Sequence, residues 1–414
     1  MKMKKLLLLV VMFIVIPSLK AEDFSMKIGG FIRTDMFYDT RLINGARDDL
    51  LPFYPKNIEL NADGVDINAK SNFYFASIAT RVNAKFTAPD FLSAKTSGLI
   101  EAEFVGQSEA QLNVVRMRHA YLDLDWKNSK LTIGQTWHPM FVTETVPQAL
   151  SLTAGAPLTP LVRNPQIRYR HKLDNFYVTL AALVQRDFTS PGPNGYSTSY
   201  QRFASIPAFD LELKYKSQNG KFVAGAGAEY KTIRPYSEFD KRTVETNLST
   251  ITANAFLGFK VSNFDFRTGA WYGGNMADFL MAGGYSIAEY DHNHLPSKYT
   301  PMQNVAGFVD LSLKLSDNIA IGVFSALNKN LGFADEIAIA APIWGRATDV
   351  DLLYKVAPRF TYQMNNVQFG FEVDYTGANY GKTPVINNTS WQGKWNETNN
   401  VSNTRIILVA TYFL

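Results

Sequence analysis

Residues 131–171 read LTIGQTWHPMFVTETVPQALSLTAGAPLTPLVRNPQIRYRH. A strand enters over 131–137, a second leaves over 166–171, and irregular chain fills the interval. Pro139, Pro147, Pro157 and Pro160 punctuate that interval, and Pro165 opens the second strand. Irregular connections beyond about 15 residues are uncommon in compact domains, so this one is functional, disordered or wrongly assigned. Four alternating strands precede its entry strand, which makes it the third long loop of an up-and-down β-chain. In large membrane barrels a loop in that place can fold inward and narrow the lumen. Residues 138–164 are therefore expected to be a constriction, with the rest of the chain as the wall around it.

The neighbouring segments carry the wall's pattern. In 24–38, Met26, Ile28, Ile32 and Met36 share one parity, while Lys27, Arg33 and Asp35 share the other. Side chains alternate faces along a strand, so one face is apolar and the other charged. A soluble sandwich would bury the apolar face in protein; a membrane barrel turns it to lipid and points the charges into water. The pattern recurs to the C-terminus and gives about sixteen strands, an even number as single-chain bacterial barrels have. In 114–126, Arg116 and Arg118 fall on the apolar parity. They lie beyond the lipid band, follow a bulge that shifts the register, or face another subunit.

Loop lengths alternate. The stretches 127–130 (KNSK), 172–175 (KLDN), 217–220 (SQNG), 260–263 (KVSN), 316–318 (SDN) and 364–366 (MNN) are short and rich in turn formers. The stretches 39–71, 106–113, 138–164, 187–208, 233–250, 273–304, 326–349 and 377–403 are long. Segregation of short and long connections predicts periplasmic turns at one rim and extracellular loops at the other.

The first residues, MKMKKLLLLVVMFIVIPSLKA, read as a signal peptide over 1–21, with a basic start and an apolar run from Leu6 to Ile16. That run is shorter than the roughly 20 residues a helical span needs. Its four lysines account for the whole excess of 41 basic over 37 acidic residues. The processed chain is formally neutral, which argues against a nucleic-acid partner. There is no cysteine. Without disulfides, an exported chain must be held by packing or sheet closure. The expected architecture is all-β: a single transmembrane antiparallel barrel over 22–414 in the outer membrane of a Gram-negative bacterium.

Three segments together, GGFIRTDMFYDTR, then KTSGLIEAEF with RMRHAYLDLDW, then IGQTWHPMF with AGAPLTPLVRNPQIRYRH, resemble the DcaP-like porins in the form common among Bacteroidetes. The resemblance is strongest in the first half. It implies a sixteen-stranded trimeric channel with its third loop inside the pore, associated with small and often anionic solutes. A periplasmic coiled coil, found before the barrel in some members, is not expected here, since the first strand begins close to Glu22.

Strand parity points Arg33, Asp35, Arg81, Lys85, Glu101, Glu103, Arg168, Arg170, Arg267 and Arg359 into the lumen, with Lys355 and the acids Asp210, Glu212, Glu229, Asp310, Glu372 and Asp374. Glu144 and Arg163 are the charges of the constricting loop. Fixed guanidinium groups facing a constriction select ions by sign. These residues are the expected selectivity set for a porin that favours small anions such as carboxylates. His119 and His138 read as lumen or loop polar groups rather than catalysts. The DHNH of 291–294 and the NADGVDIN of 61–68 read as solvated loops, so no metal and no cofactor is expected. No G-x-S-x-G setting or triad pattern surrounds a serine. An outer-membrane enzyme or an adhesive barrel without channel activity is the alternative. Lipid and lipopolysaccharide, the barrel-assembly machinery that reads the last strand TRIILVATYFL, and two further copies of the chain are the expected partners.

Overall fold

The computed structural model describes residues 24–387 and 389–414. The signal peptide expected over 1–21 lies outside the described residues. The described chain closes into one antiparallel barrel. Its strands are β1 (Ser25–Asp39), β2 (Asn72–Ala76 and Arg81–Phe91), β3 (Ala94–Glu103), β4 (Arg116–Asp125), β5 (Ser129–Trp137) and β6 (Arg163–Leu173). They continue as β7 (Phe176–Leu183), β8 (Ala208–Lys216), β9 (Phe222–Ile233), β10 (Leu248–Val261) and β11 (Phe264–Gly274). The last are β12 (Pro296–Lys314), β13 (Ile319–Phe333), β14 (Val350–Met364), β15 (Val367–Asn387) and β16 (Ser390–Phe413). Pairing of β1 with β16, from Phe31↔Phe413 to Asp39↔Arg405, closes the sheet. Closure leaves no edge strand and satisfies the backbone in lipid.

Alternation decides the two faces. In β8 the burial alternates strictly from Ala208 to Lys214: Phe209, Leu211 and Leu213 are exposed while Asp210, Glu212 and Lys214 are buried. The same holds in β16, where Ile406, Leu408 and Tyr412 face outward and Ile407 and Val409 inward. The apolar face is lipid-facing, and the polar one lines the barrel.

Arg116 and Arg118 point inward. The β3–β4 register jumps from Glu101↔His119 to Ala102↔Met117, so Arg118 is an extra residue on its strand. A bulge shifts side-chain parity beyond it, and Met117 rather than the arginines meets lipid. Of the three readings the sequence left open, the bulge is the correct one.

The ladders extend farther than expected at the long-loop rim. The region 377–403 was expected to be a loop, but β15 and β16 stay paired out to Asn387↔Ser390. β12 begins at Pro296, inside the expected loop 273–304. Arg163, assigned to the constricting loop, is the first residue of β6.

Candidate functional site

The third loop, L3 (138–162), lies inside the barrel. Met140, Leu158 and Val162 pack against Trp271, Phe308, Phe324, Leu353 and Ala357 on the inner faces of β11–β14. Leu150 packs against Phe37 of β1 and Ile407 and Val409 of β16. Gly155, at φ +93°, lies so near the wall that a Cβ would stand 2.5 Å from the Phe324 ring. Only glycine allows that backbone and that approach without strain.

Polar groups of the wall complete the loop's backbone bonding. Arg267 donates to the Val146 carbonyl at 2.8 Å and Arg33 to the Leu150 carbonyl at 2.6 Å. Glu372 accepts the Leu150 and Ser151 N–H groups at 2.7 and 3.1 Å. Gln148 donates to Asp265 and accepts from Ser312. An irregular segment at membrane depth needs such partners, because lipid and a packed interior supply none.

L3 is covered from the outside. Leu51 and Phe53 of L1 (40–71) and Leu280 of L6 (275–295) pack with Phe141, Ala156 and Leu161. L6 also bonds to L3 through Leu161 N–H to the Phe279 carbonyl at 2.9 Å and Ala282 N–H to the Pro157 carbonyl at 3.2 Å. The sequence reading missed this second inward loop. Its signal was present: GGNMADFLMAGG over 273–284 is an apolar run between glycines, the same content that pointed L3 inward.

With L3 packed on β11–β16 and β1, open space remains along the opposite wall, β2–β8. Two cavities of about 170 Å³ each lie there. The outer one is lined by Arg81, Arg116, Arg118 and Arg163 with Glu103, beside Leu51 and Phe188 of the long loops. The inner one is lined by Lys130, Arg168, Arg170 and Lys214 with Asp123, Glu144 and Glu212. Trp137 and Phe141 belong to both linings, and their rings stack at 4.1 Å. Arg163 lies 4.8 Å and Arg118 5.5 Å from the Trp137 ring, within cation–π range. The aromatic pair thus stands between two basic cavities.

The expected selectivity residues divide into paired and unpaired groups. Arg33 pairs with Asp35, Arg267 with Asp265 at 2.9 Å, and Arg359 with Asp310 at 2.8 Å. Glu103, 1% exposed, joins Arg81 (3.1 Å), Arg118 (2.8 Å) and Arg116. Glu101 pairs with Arg118 at 2.6 Å. Arg163 is fully buried against Asp187 at 2.5 Å and Arg116 also reaches that carboxylate. Glu144 bonds Lys214 at 2.9 Å, and Lys214 reaches Glu212 at 3.1 Å. Burial opposes ionisation of Glu144, but the Lys214 ammonium prevails and holds its carboxyl below the usual range. Among the described residues Lys85, Arg168 and Arg170 form no ion pair. Arg168 is held instead by the Gln166 side chain and the Trp137 carbonyl, and Arg170 lies 5.7 Å from the Tyr177 ring.

The two solvated stretches are turns. Asp291 Oδ1 accepts the N–H groups of Asn293 and Leu295. Asn61 Oδ1 accepts those of Asp63 and Val65, and Asp66 pairs with Arg41. His119 is buried beside Thr136 and Trp137.

A sixteen-stranded barrel with short turns at one rim, long loops at the other, an inward L3 and a charged lumen defines the outer-membrane porin class. The chain belongs to the DcaP outer membrane protein family, whose pattern matches residues 17–256. It resembles the outer membrane channel DcaP of Acinetobacter baumannii at 19% identity and TM-score 0.69, covering 95% of this chain and 99% of that one. It also resembles the trimer form of OmpT from Vibrio cholerae (11%, TM-score 0.55, 95% and 100%). An anion-selective porin from Comamonas acidovorans is similar at 9% identity (TM-score 0.54, 95% and 100%). At these identities the likeness establishes the fold. No curated protein matches the chain.

Proposed function

We propose that this chain is a diffusion porin for small hydrophilic solutes that favours small anions such as carboxylates. The observation that carries the reading is the asymmetry of the lumen. L3 fills the side of β11–β16, and the space left along β2–β8 has four basic groups against one acid outside and four against three inside. The processed chain is neutral, so placement decides the sign. Two unit charges 4 Å apart at an effective dielectric near 20 interact by about 4 kcal/mol. Salt screens charges beyond about 8–10 Å. A solute in this space therefore responds to Arg168 and Arg170 more than to carboxylates across the barrel. Reversal potentials in a KCl gradient test the sign. Chloride preference is expected, and Arg168→Ala with Arg170→Ala should reduce it; cation preference in the unmodified channel refutes the reading.

The assembly in this reading is a homotrimer in lipid and lipopolysaccharide, inserted by the barrel-assembly machinery. Support comes from the family resemblance, from the trimer form of the similar Vibrio protein and from the terminal amphipathic strand. Arg116 and Arg118 no longer contribute, since both point inward. Crosslinking in detergent should give three linked chains. A single-chain species alone would remove the trimer and leave the barrel intact.

A further inference from the structure

We infer that His138, Asp210 and Glu229 form a site for a divalent transition-metal ion, Zn²⁺ or a close relative, that staples the root of L3 to the barrel wall. His138 follows β5 directly, and Asp210 and Glu229 are cross-strand partners on β8 and β9. The three are 1%, 3% and 2% exposed. One ligand atom from each lies within 4.8 Å of the others.

Asp210 is the decisive group. Both its carboxylate oxygens are buried without a hydrogen-bond partner among the described residues. A buried carboxylate in that state retains a proton or has a cation beside it. A second carboxylate directly across the ladder increases the need for positive charge. Lys231, 4.0 Å from Glu229, is engaged elsewhere: it bonds Asp278 and the Asn275 carbonyl. One imidazole nitrogen with two carboxylate oxygens is a donor set that suits zinc-type ions, which bind such atoms at about 2.0–2.2 Å.

The ring's hydrogen bonds show how the site would load. Met140 N–H donates to His138 Nδ1 at 3.1 Å, so the neutral ring carries its proton on Nε2 and donates it to Glu229 at 2.6 Å. Ion uptake moves that proton to Nδ1, turns the Met140 amide away and frees the Nε2 lone pair and the Glu229 oxygen for the metal. No net proton is released from the ring. Two ligands of a tetrahedral ion stand about 3.4 Å apart, so the 2.6 Å contact opens by about 1 Å while Asp210 closes in.

The site is independent of solute preference, and its test does not use conductance. The purified full-length barrel in detergent is stripped with EDTA, incubated with Zn²⁺ and desalted, and retained metal is measured. One Zn²⁺ per chain is expected for the unmodified barrel and for the His292→Ala, His294→Ala double variant. Asp210→Asn and His138→Gln should retain none, with heat-modifiable gel migration confirming that each is folded. An unmodified barrel that retains no Zn²⁺ overturns the site. So does retention that survives Asp210→Asn or is lost only with the loop histidines.

Discussion

Deleting 145–158 is expected to raise single-channel conductance several-fold and to weaken discrimination between solutes. The segment contains Leu150 and Leu158, which fasten L3 to β1 and β16 on one side and to β11–β14 on the other. Removing it empties the filled half of the lumen and leaves the basic wall of β2–β8 in place. Arg33 and Arg267 also lose the Leu150 and Val146 carbonyls they now bond, though each keeps its aspartate. Stability should fall, because Trp271, Phe308 and Phe324 lose apolar cover at roughly 25 cal/mol per Å². Sheet closure through β1 and β16 does not depend on L3, so the variant should still fold and remain heat-modifiable. A folded deletion with unchanged conductance would show that L3 does not limit flow.

The wall was legible because a barrel strand repeats one instruction, apolar out and polar in, with a period that needs no tertiary knowledge. The short turns were legible where Asn, Asp, Ser or Gly supply positive φ, as at Asp174, Gly220, Ser262 and Asn365. The turn between β2 and β3 places Leu92 at φ 48° beside Ser93 at 61°, and an apolar residue at its first positive-φ position hides it. Rim positions were overassigned to loop, because strands that rise above the membrane lose the lipid-facing row that identifies them. The lumen was legible in composition and not in pairing. Parity placed Glu103 inward, but it could not show that a bulge at Arg118 brings two more guanidinium groups to it. Nor could it distinguish Arg359, locked to Asp310, from Arg168, which has no carboxylate partner among the described residues.

Glu103→Gln should have the largest effect of any single substitution in the lumen, with two readouts. Glu103 is the one acid in the lining of the outer cavity and bonds Arg81, Arg116 and Arg118. Glutamine keeps the shape and one acceptor oxygen but removes the charge and points an amide donor at donors. Breaking a buried ion pair by neutralising one partner costs roughly 3–5 kcal/mol, because the charge left behind is uncompensated. Arg116 retains Asp187 and Arg118 retains Glu101. The loss should therefore fall at the low end, about 3 kcal/mol, read as a lower temperature for the heat-induced gel shift. The same change leaves four basic groups in the outer cavity with no acid in its lining, so chloride preference should rise. Stability and anion preference are thus expected to move in opposite directions from one substitution. A variant that melts like the unmodified barrel and keeps its reversal potential would show that the cluster neither supports the wall nor meets the permeating ion. A fall in stability without a change in reversal potential would confine Glu103 to a structural role and place the selective charge deeper, at Arg168 and Arg170.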